Sequence, residues 1–227
     1  NLSQANVGFI HMGGVRNFAY FATESTLRFL AKRQVKMWFL IDRDEKEDSE
    51  ILKMQNMLGQ NAKLQVLAKR EIENYLIYSR AIRRFIEHKK ISSGNINDEV
   101  PTETEITAKI DECAEKMKQL AIDKRVIKLA CKPVYPEVKA IFEDIQESTV
   151  EKVTQSIQKM VDQLESDKKN LETIYNSKSS ELESLWKDRK LDIVPGDLLL
   201  DEVCKAYNVR FKKEKDTSQL ASLMEKD

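Results

Sequence analysis

The sequence predicts an α/β protein in which a parallel sheet is flanked by helices and carries a large α-helical insertion or appendage. Three short apolar runs, at residues 7–12, 37–42 and 64–68, are separated by longer amphipathic or polar segments. Parallel strands need a crossover connection, which is usually a helix. Beyond residue 100 the apolar residues recur at helical spacing instead. The two patterns together favour a sheet domain followed by a helical region.

The first apolar run, Val7–Met12, is predicted to be a strand, and the two glycines after it are typical of a tight turn. Adjacent glycines would also let the backbone approach a phosphate, which is the weaker interpretation. A helix is predicted for residues 16–32, because its apolar residues recur at mostly helical spacing. These residues are Phe18, Phe21, Leu27, Phe29 and Leu30. Strand, turn and helix then form one crossover unit with the second strand.

The second apolar run, residues 37–42, has the composition of a strand that is covered on both faces. It ends abruptly in Asp42-Arg43-Asp44-Glu45. If the extended conformation continues for one more step, Asp42 and Asp44 point to one side and can share a divalent cation. Carboxylate oxygens suit Mg²⁺ or Mn²⁺. The alternative is a solvated helix start, where acidic residues favour the positive end of the helix dipole.

A second acidic pair follows the third apolar run. A polar helix is predicted for residues 46–58, a strand for 64–68, and Glu71 and Glu73 come shortly after that strand. Ligands in parallel sheets bind beyond the carboxyl ends of the strands. We therefore expect both acidic pairs to face the same end of the sheet. Their mutual repulsion would be relieved by a bound cation.

The succession FIHMGGVRN, WFLIDRDE and LAKREIENYLI, between Val7 and Leu76, resembles the Toprim domain of the overcoming-lysogenization-defect (OLD) nucleases and their relatives in bacterial antiphage defence. The resemblance implies a Toprim-like sheet and metal-dependent cleavage of DNA phosphodiesters at a site with two Mg²⁺ or Mn²⁺ ions. It assigns catalysis and metal binding to Asp42, Asp44 and Glu73, with Glu71 as a further ligand. It also implies an ATPase domain or subunit upstream and leaves room for a second defence protein as partner.

The sequence departs from this family at two motifs. The first motif, a strand ending in glutamate and glycine, would precede Val7, and residues 1–6 do not match it. We therefore expect a C-terminal fragment whose missing glutamate lies upstream. The second motif, Pro-Gly-Lys, reads Pro-Gly-Asp here, with Asp197 in the lysine position. The favoured interpretation is a helix start, in which Asp197 caps a helix over residues 198–207.

A basic residue of the preceding turn could also take the role of the missing lysine. Lys187, Arg189 and Lys190 lie close in sequence to the altered motif and are candidates for charge stabilisation and DNA binding. Lys69 and Arg70 form a second candidate cluster for phosphate contact. Such clusters are more often solvated helix faces.

The remainder of the chain is predicted to be helical. One helical pattern covers residues 102–129, and a heptad-like pattern covers 138–187 as one helix of about fifty residues or as two packed helices. Asn170 and residues 176–180 offer places to bend. The apolar stripe is either a dimerisation coiled coil or, more favoured, an intramolecular hairpin.

These patterns predict three regions. They are a sheet domain at residues 1–100 with its first strand upstream, a helical region at 101–190, and a segment at 191–227 that returns to the sheet domain.

Composition limits the remaining alternatives. The 38 basic and 38 acidic residues cancel, so no global basic field indicates nucleic acid. Three widely spaced cysteines form neither a zinc pattern nor a disulfide framework, which fits the reducing cytoplasm. No stretch is long enough to cross a bilayer, so no membrane partner is expected. A DNA substrate and a homo-oligomer are expected. The competing function is a non-catalytic assembly module with a degenerate Toprim site; another Toprim activity, such as a topoisomerase or primase, ranks lower.

Overall fold

The computed structural model describes residues 7–12, 14, 17–58, 60, 62–94, 99–131 and 148–224. The chain divides into two compact units, Asn1–Ile72 and Glu73–Asp227. The described residues are mostly helical and contain a small parallel sheet, so the α/β class holds in this coarse sense.

The first unit is a small sheet with helices around its crossover. Its elements are α1 (Phe18–Phe21), α2 (Glu24–Lys32), β1 (Met37–Ile41), α3 (Asp48–Leu58) and β2 (Ala62–Val66). The strands pair in parallel, with Met37 opposite Ala62 and Ile41 opposite Val66. Helix α3 supplies the crossover between them, as the sequence predicts. The pairing places the carboxyl ends of both strands at one edge.

The core of the first unit lies on one face of the sheet. Phe39 is 3% exposed, and its ring meets that of Phe18 at 5.0 Å between centroids in an edge-to-face arrangement. Leu27 and Leu58 complete the same cluster from α2 and α3. On the opposite face Trp38 is 66% exposed. The predicted burial of this strand on both faces is therefore wrong, because the helices of the described residues pack against one face only.

Two further predictions in this unit need correction. Residues 7–12 form no strand, and Phe9 is 80% exposed. A strand needs a neighbour for its backbone hydrogen bonds, and within the described residues β1 and β2 pair only with each other. The predicted helix over 16–32 is divided between α1 and α2, because Thr23 is extended. Gly13 lies outside the described residues.

The second unit is helical. Its elements are α4 (Ser79–Ser92), α5 (Glu103–Lys116), α6 (Lys118–Ala130), α7 (Thr149–Ile193), α8 (Gly196–Lys205) and α9 (Lys213–Met224), preceded by a 3₁₀ turn at Ile72–Tyr75. Helix α4 packs against α5 and α9, α5 also packs against α8, and α6 lies along α7. Phe85, Ile106 and Leu199 are fully buried at the centre of this unit.

Helix α7 spans 45 residues with a kink near its end, and the continuous part before Arg189 is about 60 Å long. It starts at a capping box, in which Ser148 accepts from the Glu151 N–H and the Glu151 side chain accepts from the Ser148 N–H. The helix passes through Asn170 and residues 176–180, so the bend predicted there is wrong. Asn170 donates along the helix to Ser166 and does not interrupt the backbone ladder. The backbone becomes non-helical at Arg189 instead.

Two other helix predictions for this unit are confirmed. The helix predicted over 102–129 is confirmed as α5 and α6, with a break at Met117. The helix predicted over 198–207 is confirmed as α8, although its N-cap is Pro195 and not Asp197. Residues 132–147, where the start of the heptad-like helix was predicted, lie outside the described residues. None of the helices in the described ranges combines the length and apolar character that crossing a bilayer requires.

Candidate functional site

The candidate site of the first unit is the acidic turn, residues 42–48, which follows β1. Two hydrogen bonds attach it to the loop after β2. The N–H of Ile72 donates to Asp42 Oδ1 at 3.0 Å, and the N–H of Asp44 donates to the Arg70 carbonyl at 2.8 Å. Glu71 lies between these two loop residues in sequence. The structure thus brings Asp42, Asp44 and Glu71 to one edge of the sheet, since the carboxyl ends of parallel strands meet there.

The local backbone differs from the extended path that the sequence argument assumed. Asp44 has a φ of 45°, in the left-handed region that aspartate tolerates better than most residues. The chain turns at this residue, so Asp42 and Asp44 are not simply alternate positions of one strand.

Lys46 occupies the interior of the acidic turn. Its side chain is 2% exposed, and its Nζ donates to Asp44 Oδ2 and to the Asp42 carbonyl, each at 2.9 Å. A buried ammonium is tolerated only when it is paired and hydrogen-bonded. Lys46 is therefore the internal counter-ion of this turn. The sequence argument missed this role, because Lys46 fits equally well at the start of a polar helix.

Arg70 neutralises two further carboxylates. It is 7% exposed, donates from Nε to Glu71 Oε1 at 3.0 Å, and forms an ion pair with Glu45. A planar guanidinium is well suited to bridge two carboxylates in a buried position. This placement does not fit the DNA contact predicted for Arg70, because the side chain is enclosed by the unit. Lys69 is partly exposed.

The fourth predicted ligand, Glu73, belongs to the second unit. It is 1% exposed, and its Oε2 accepts a hydrogen bond from Lys213 Nζ at 3.0 Å. The predicted ligand set is therefore divided, with Asp42, Asp44 and Glu71 in the first unit and Glu73 in the second.

The predicted basic cluster near the end of α7 contains ion pairs. Lys190 Nζ lies 2.5 Å from Asp111 Oδ1 and 3.0 Å from Glu115 Oε1. The hydrogen bond to Asp111, assisted by that to Glu115, raises the pKa of Lys190. Arg189 pairs with Asp192 at 3.2 Å, whereas the side chain of Lys187 is exposed. Lys190 therefore ties α7 to α5, a structural role that competes with phosphate contact.

A close contact in the second unit joins the Glu-Asn-Tyr motif to the Pro-Gly-Asp motif. Asn74 is completely buried, and its Nδ2 donates to the carbonyls of Leu191 at 2.9 Å and Val194 at 2.8 Å. A Cβ added at Gly196 would lie only 2.8 Å from the Asn74 nitrogen. Glycine is needed at this position because of that close approach. Asp197 accepts from the N–H of Leu198 at 2.7 Å in the first turn of α8.

The oxygen ligands of the acidic turn are chemically suited to a hard divalent cation. Within the described ranges, however, no group of three or more Asp, Glu, His or Cys side chains is arranged to hold a metal ion. Comparison with known proteins finds no matching family model, no matching curated protein and no matching solved structure.

Proposed function

We propose that this chain is part of a metal-dependent DNA endonuclease of bacterial antiphage defence, in which Asp42 and Asp44 hold Mg²⁺ or Mn²⁺. The observation that supports it is the hydrogen bond from the Ile72 N–H to Asp42, which attaches the acidic turn to the loop carrying Glu71. Two acidic segments after neighbouring parallel strands are what a cation site at a sheet edge needs. The resemblance to the Toprim domain of OLD nucleases supports the same chemistry.

The residues divide the proposed work as follows. Asp42 and Asp44 provide carboxylate oxygens for the cation, and Glu71 places a third carboxylate in the adjoining loop. A bound divalent cation would stabilise the charge on the attacking and leaving oxygens of the phosphodiester. Lys46 balances the negative charge of the turn when no metal ion is bound, because its ammonium contacts Asp44 directly. The family resemblance also assigns a ligand role to Glu73, which belongs to the second unit and accepts a hydrogen bond from Lys213 there.

The remaining parts of the proposal follow from the family resemblance. They are DNA as substrate, a two-metal site, a Toprim arrangement of the sheet, and an ATPase domain or subunit and a second defence protein as partners. The proposed cytoplasmic location follows from the cysteine pattern instead. Of the five basic residues of the proposal only Arg70 is buried, and the side chains of the others are at least partly exposed, although Arg189 and Lys190 already form ion pairs.

A second candidate function is a non-catalytic assembly module with a degenerate site. The internal ion pairs favour it: Lys46 contacts Asp44, Arg70 contacts Glu45 and Glu71, and both cationic side chains are buried. A turn that is neutralised in this way is stable without a metal ion. This candidate predicts no affinity for Mn²⁺ and no cleavage.

The experiment is cleavage of supercoiled plasmid by the intact protein with Mg²⁺ or Mn²⁺. The variants Asp42→Asn and Asp44→Asn remove charge but keep a hydrogen-bond acceptor for the turn. The matched control is Asp48→Asn, an acidic residue of the same turn whose side chain is 90% exposed. We expect nicking or linearisation by the wild type and by Asp48→Asn, and loss of cleavage in the other two variants.

Calorimetric titration with Mn²⁺ provides a second measurement that does not depend on turnover. Binding should weaken in Asp42→Asn and Asp44→Asn and persist in the Asp48→Asn control. Equal cleavage by all four proteins, or a wild type that neither binds Mn²⁺ nor cuts DNA, would refute the nuclease proposal. The latter result would favour the assembly module.

A further inference from the structure

The outward face of α7 carries an apolar stripe with a strict seven-residue repeat. Val150, Ile157, Leu164 and Leu171 are spaced seven apart and are 76%, 51%, 52% and 44% exposed. The intervening positions of the stripe are also exposed. These are Thr154, Val161 and Lys168. We refer to the seven residues as the outer stripe.

A seven-residue repeat indicates what kind of surface covers the outer stripe. When the apolar residues of a helix repeat every 3.5 residues on average, they stay in contact with a second helix that supercoils around the first. A helix that packs on a broad core surface has a wider apolar stripe with a period of 3.6 residues. The stripe spans 22 residues, or about 33 Å, which accommodates three heptads. The contact of α7 with the other described helices of its unit uses other positions, among them the buried residues Leu182 and Trp186.

We propose that the outer stripe is the interface of a parallel, two-stranded coiled coil between two copies of this chain. In heptad terms the a positions are Thr154, Val161 and Lys168, and the d positions are Val150, Ile157, Leu164 and Leu171. In the second half of the stripe Val161 at a with leucine at d is the combination that favours two strands in the parallel orientation. The repeat is therefore suited to pairing with an identical helix.

Charge complementarity supports the parallel and in-register arrangement. Lys168 is the charged member of the outer stripe and occupies an a position, flanked by Asp167 and Glu172. In a parallel pair the two Lys168 side chains face each other, and the acidic residues at the flanking g and e positions, Asp167 and Glu172, compensate this pair of like charges. A single polar residue at an a position specifies register.

The antiparallel alternative lacks this complementarity. Aligning the same stripe in the opposite direction places Lys168 opposite Ile157, an aliphatic residue. It also brings Glu151 close to Glu172 of the other copy, a pair of like charges. The distribution of charge along α7 thus favours one of the two orientations.

The first test is the mass of the intact protein in solution, measured by sedimentation equilibrium over a range of concentrations. Leu164→Glu places a charge in the outer stripe, and Ser166→Glu places the same charge on the opposite side of the same helix. We expect a dimer for the wild type and for Ser166→Glu, and a monomer for Leu164→Glu. Because Leu164 is 52% exposed in the single chain, all three proteins should have the same circular dichroism spectrum.

The second test addresses orientation by disulfide formation between copies. In a Cys131→Ser background, which removes the exposed native thiol, Leu164→Cys should form an interchain disulfide on oxidation, since identical d positions face each other in a parallel pair. The matched Ser166→Cys variant should not. Failure of Leu164→Cys to crosslink, or equal crosslinking by both variants, would overturn the parallel arrangement.

Other occupants of the outer stripe give different results. If residues 132–147 of the same chain cover it, the wild type is a monomer and a cysteine at position 164 is protected from maleimide. If another protein covers it, the wild type is a monomer and that cysteine reacts rapidly. Either result overturns the homodimer. The outcome is independent of metal binding at the acidic turn, so neither proposal depends on the other.

Discussion

The contact between Gly196 and Asn74 predicts that Gly196→Ala destabilises the second unit. An added methyl group would lie 2.8 Å from both the backbone nitrogen and Oδ1 of Asn74, closer than a Cβ atom approaches in real proteins. Asn74 has little room to retreat, because it is completely buried and its Nδ2 donates to the carbonyls of Leu191 and Val194. Overpacking costs about 1–3 kcal/mol. Losing one of the two hydrogen bonds adds about 1 kcal/mol.

We therefore expect the free energy of unfolding of the second unit to fall by about 2–4 kcal/mol. The assay is urea unfolding followed by the fluorescence of Trp186, which is 4% exposed in that unit. A Trp38→Phe background removes the signal of the first unit. With a urea dependence of about 2 kcal/mol/M, the midpoint should fall by roughly 1–2 M. The control is Gly8→Ala, since an added Cβ there meets nothing within 4 Å.

A double-mutant cycle tests the origin of this effect. Asn74→Ala should itself be destabilising, because it removes the side-chain donor from the buried Val194 carbonyl and the partly buried Leu191 carbonyl. In its presence the cost of Gly196→Ala should shrink, since the Oδ1 and Cγ atoms that crowd the methyl group are gone. The remaining cost reflects the backbone nitrogen of residue 74. A Gly196→Ala variant as stable as the wild type, or one with the same cost in both backgrounds, would refute the reasoning.

Three further predictions concern the two units separately. Lys46→Met should lower the stability of the first unit by about 1–2 kcal/mol, because Asp44 loses a charged hydrogen-bond donor; a thermal unfolding midpoint equal to that of the wild type would contradict this. Burial raises the pKa of Cys204 to about 12, so a thiol reagent at neutral pH should label the exposed Cys131 rapidly and Cys204 only in urea; rapid labelling of both would contradict it. Thr102→Ala should cost the second unit about 1 kcal/mol in urea unfolding. The backbone N–H and the hydroxyl of Thr102 both lower the pKa of Glu105, and the substitution removes only the hydroxyl, so part of this cost should disappear as the pH falls through the lowered pKa; a pH-independent cost would count against the hydroxyl–carboxylate bond of the capping box.

The sequence located β1 and the acidic turn because both signals are local. An apolar run that ends in four charged residues can be recognised from about ten consecutive residues of the sequence. The strand predicted at residues 7–12 depends on a partner strand, which local composition does not specify. The exposure of Trp38 has the same origin, since an apolar residue in a strand does not reveal whether a helix covers its face.

The chemistry of the candidate site was harder to predict, because it depends on which cation approaches which carboxylate. Arg70 was predicted to contact DNA, yet it is buried against Glu45 and Glu71. Nothing in the residue type distinguishes a surface arginine from one that bridges two acids. The contact between Asn74 and Gly196 joins residues more than a hundred positions apart and depends on the tertiary fold.

The buried ammonium of Lys46 connects the stability of the first unit to its proposed affinity for metal. A cation bound through Asp44 Oδ2 competes with that ammonium, because both need the same carboxylate oxygen. Lys46→Met should therefore tighten Mn²⁺ binding while it destabilises the metal-free protein, and Mn²⁺ should restore the lost stability. If the chain is an assembly module, Lys46→Met only lowers the stability of the first unit, because Asp42 and Asp44 do not bind a metal ion. The sign of the Mn²⁺ effect on this one variant thus separates the two functions.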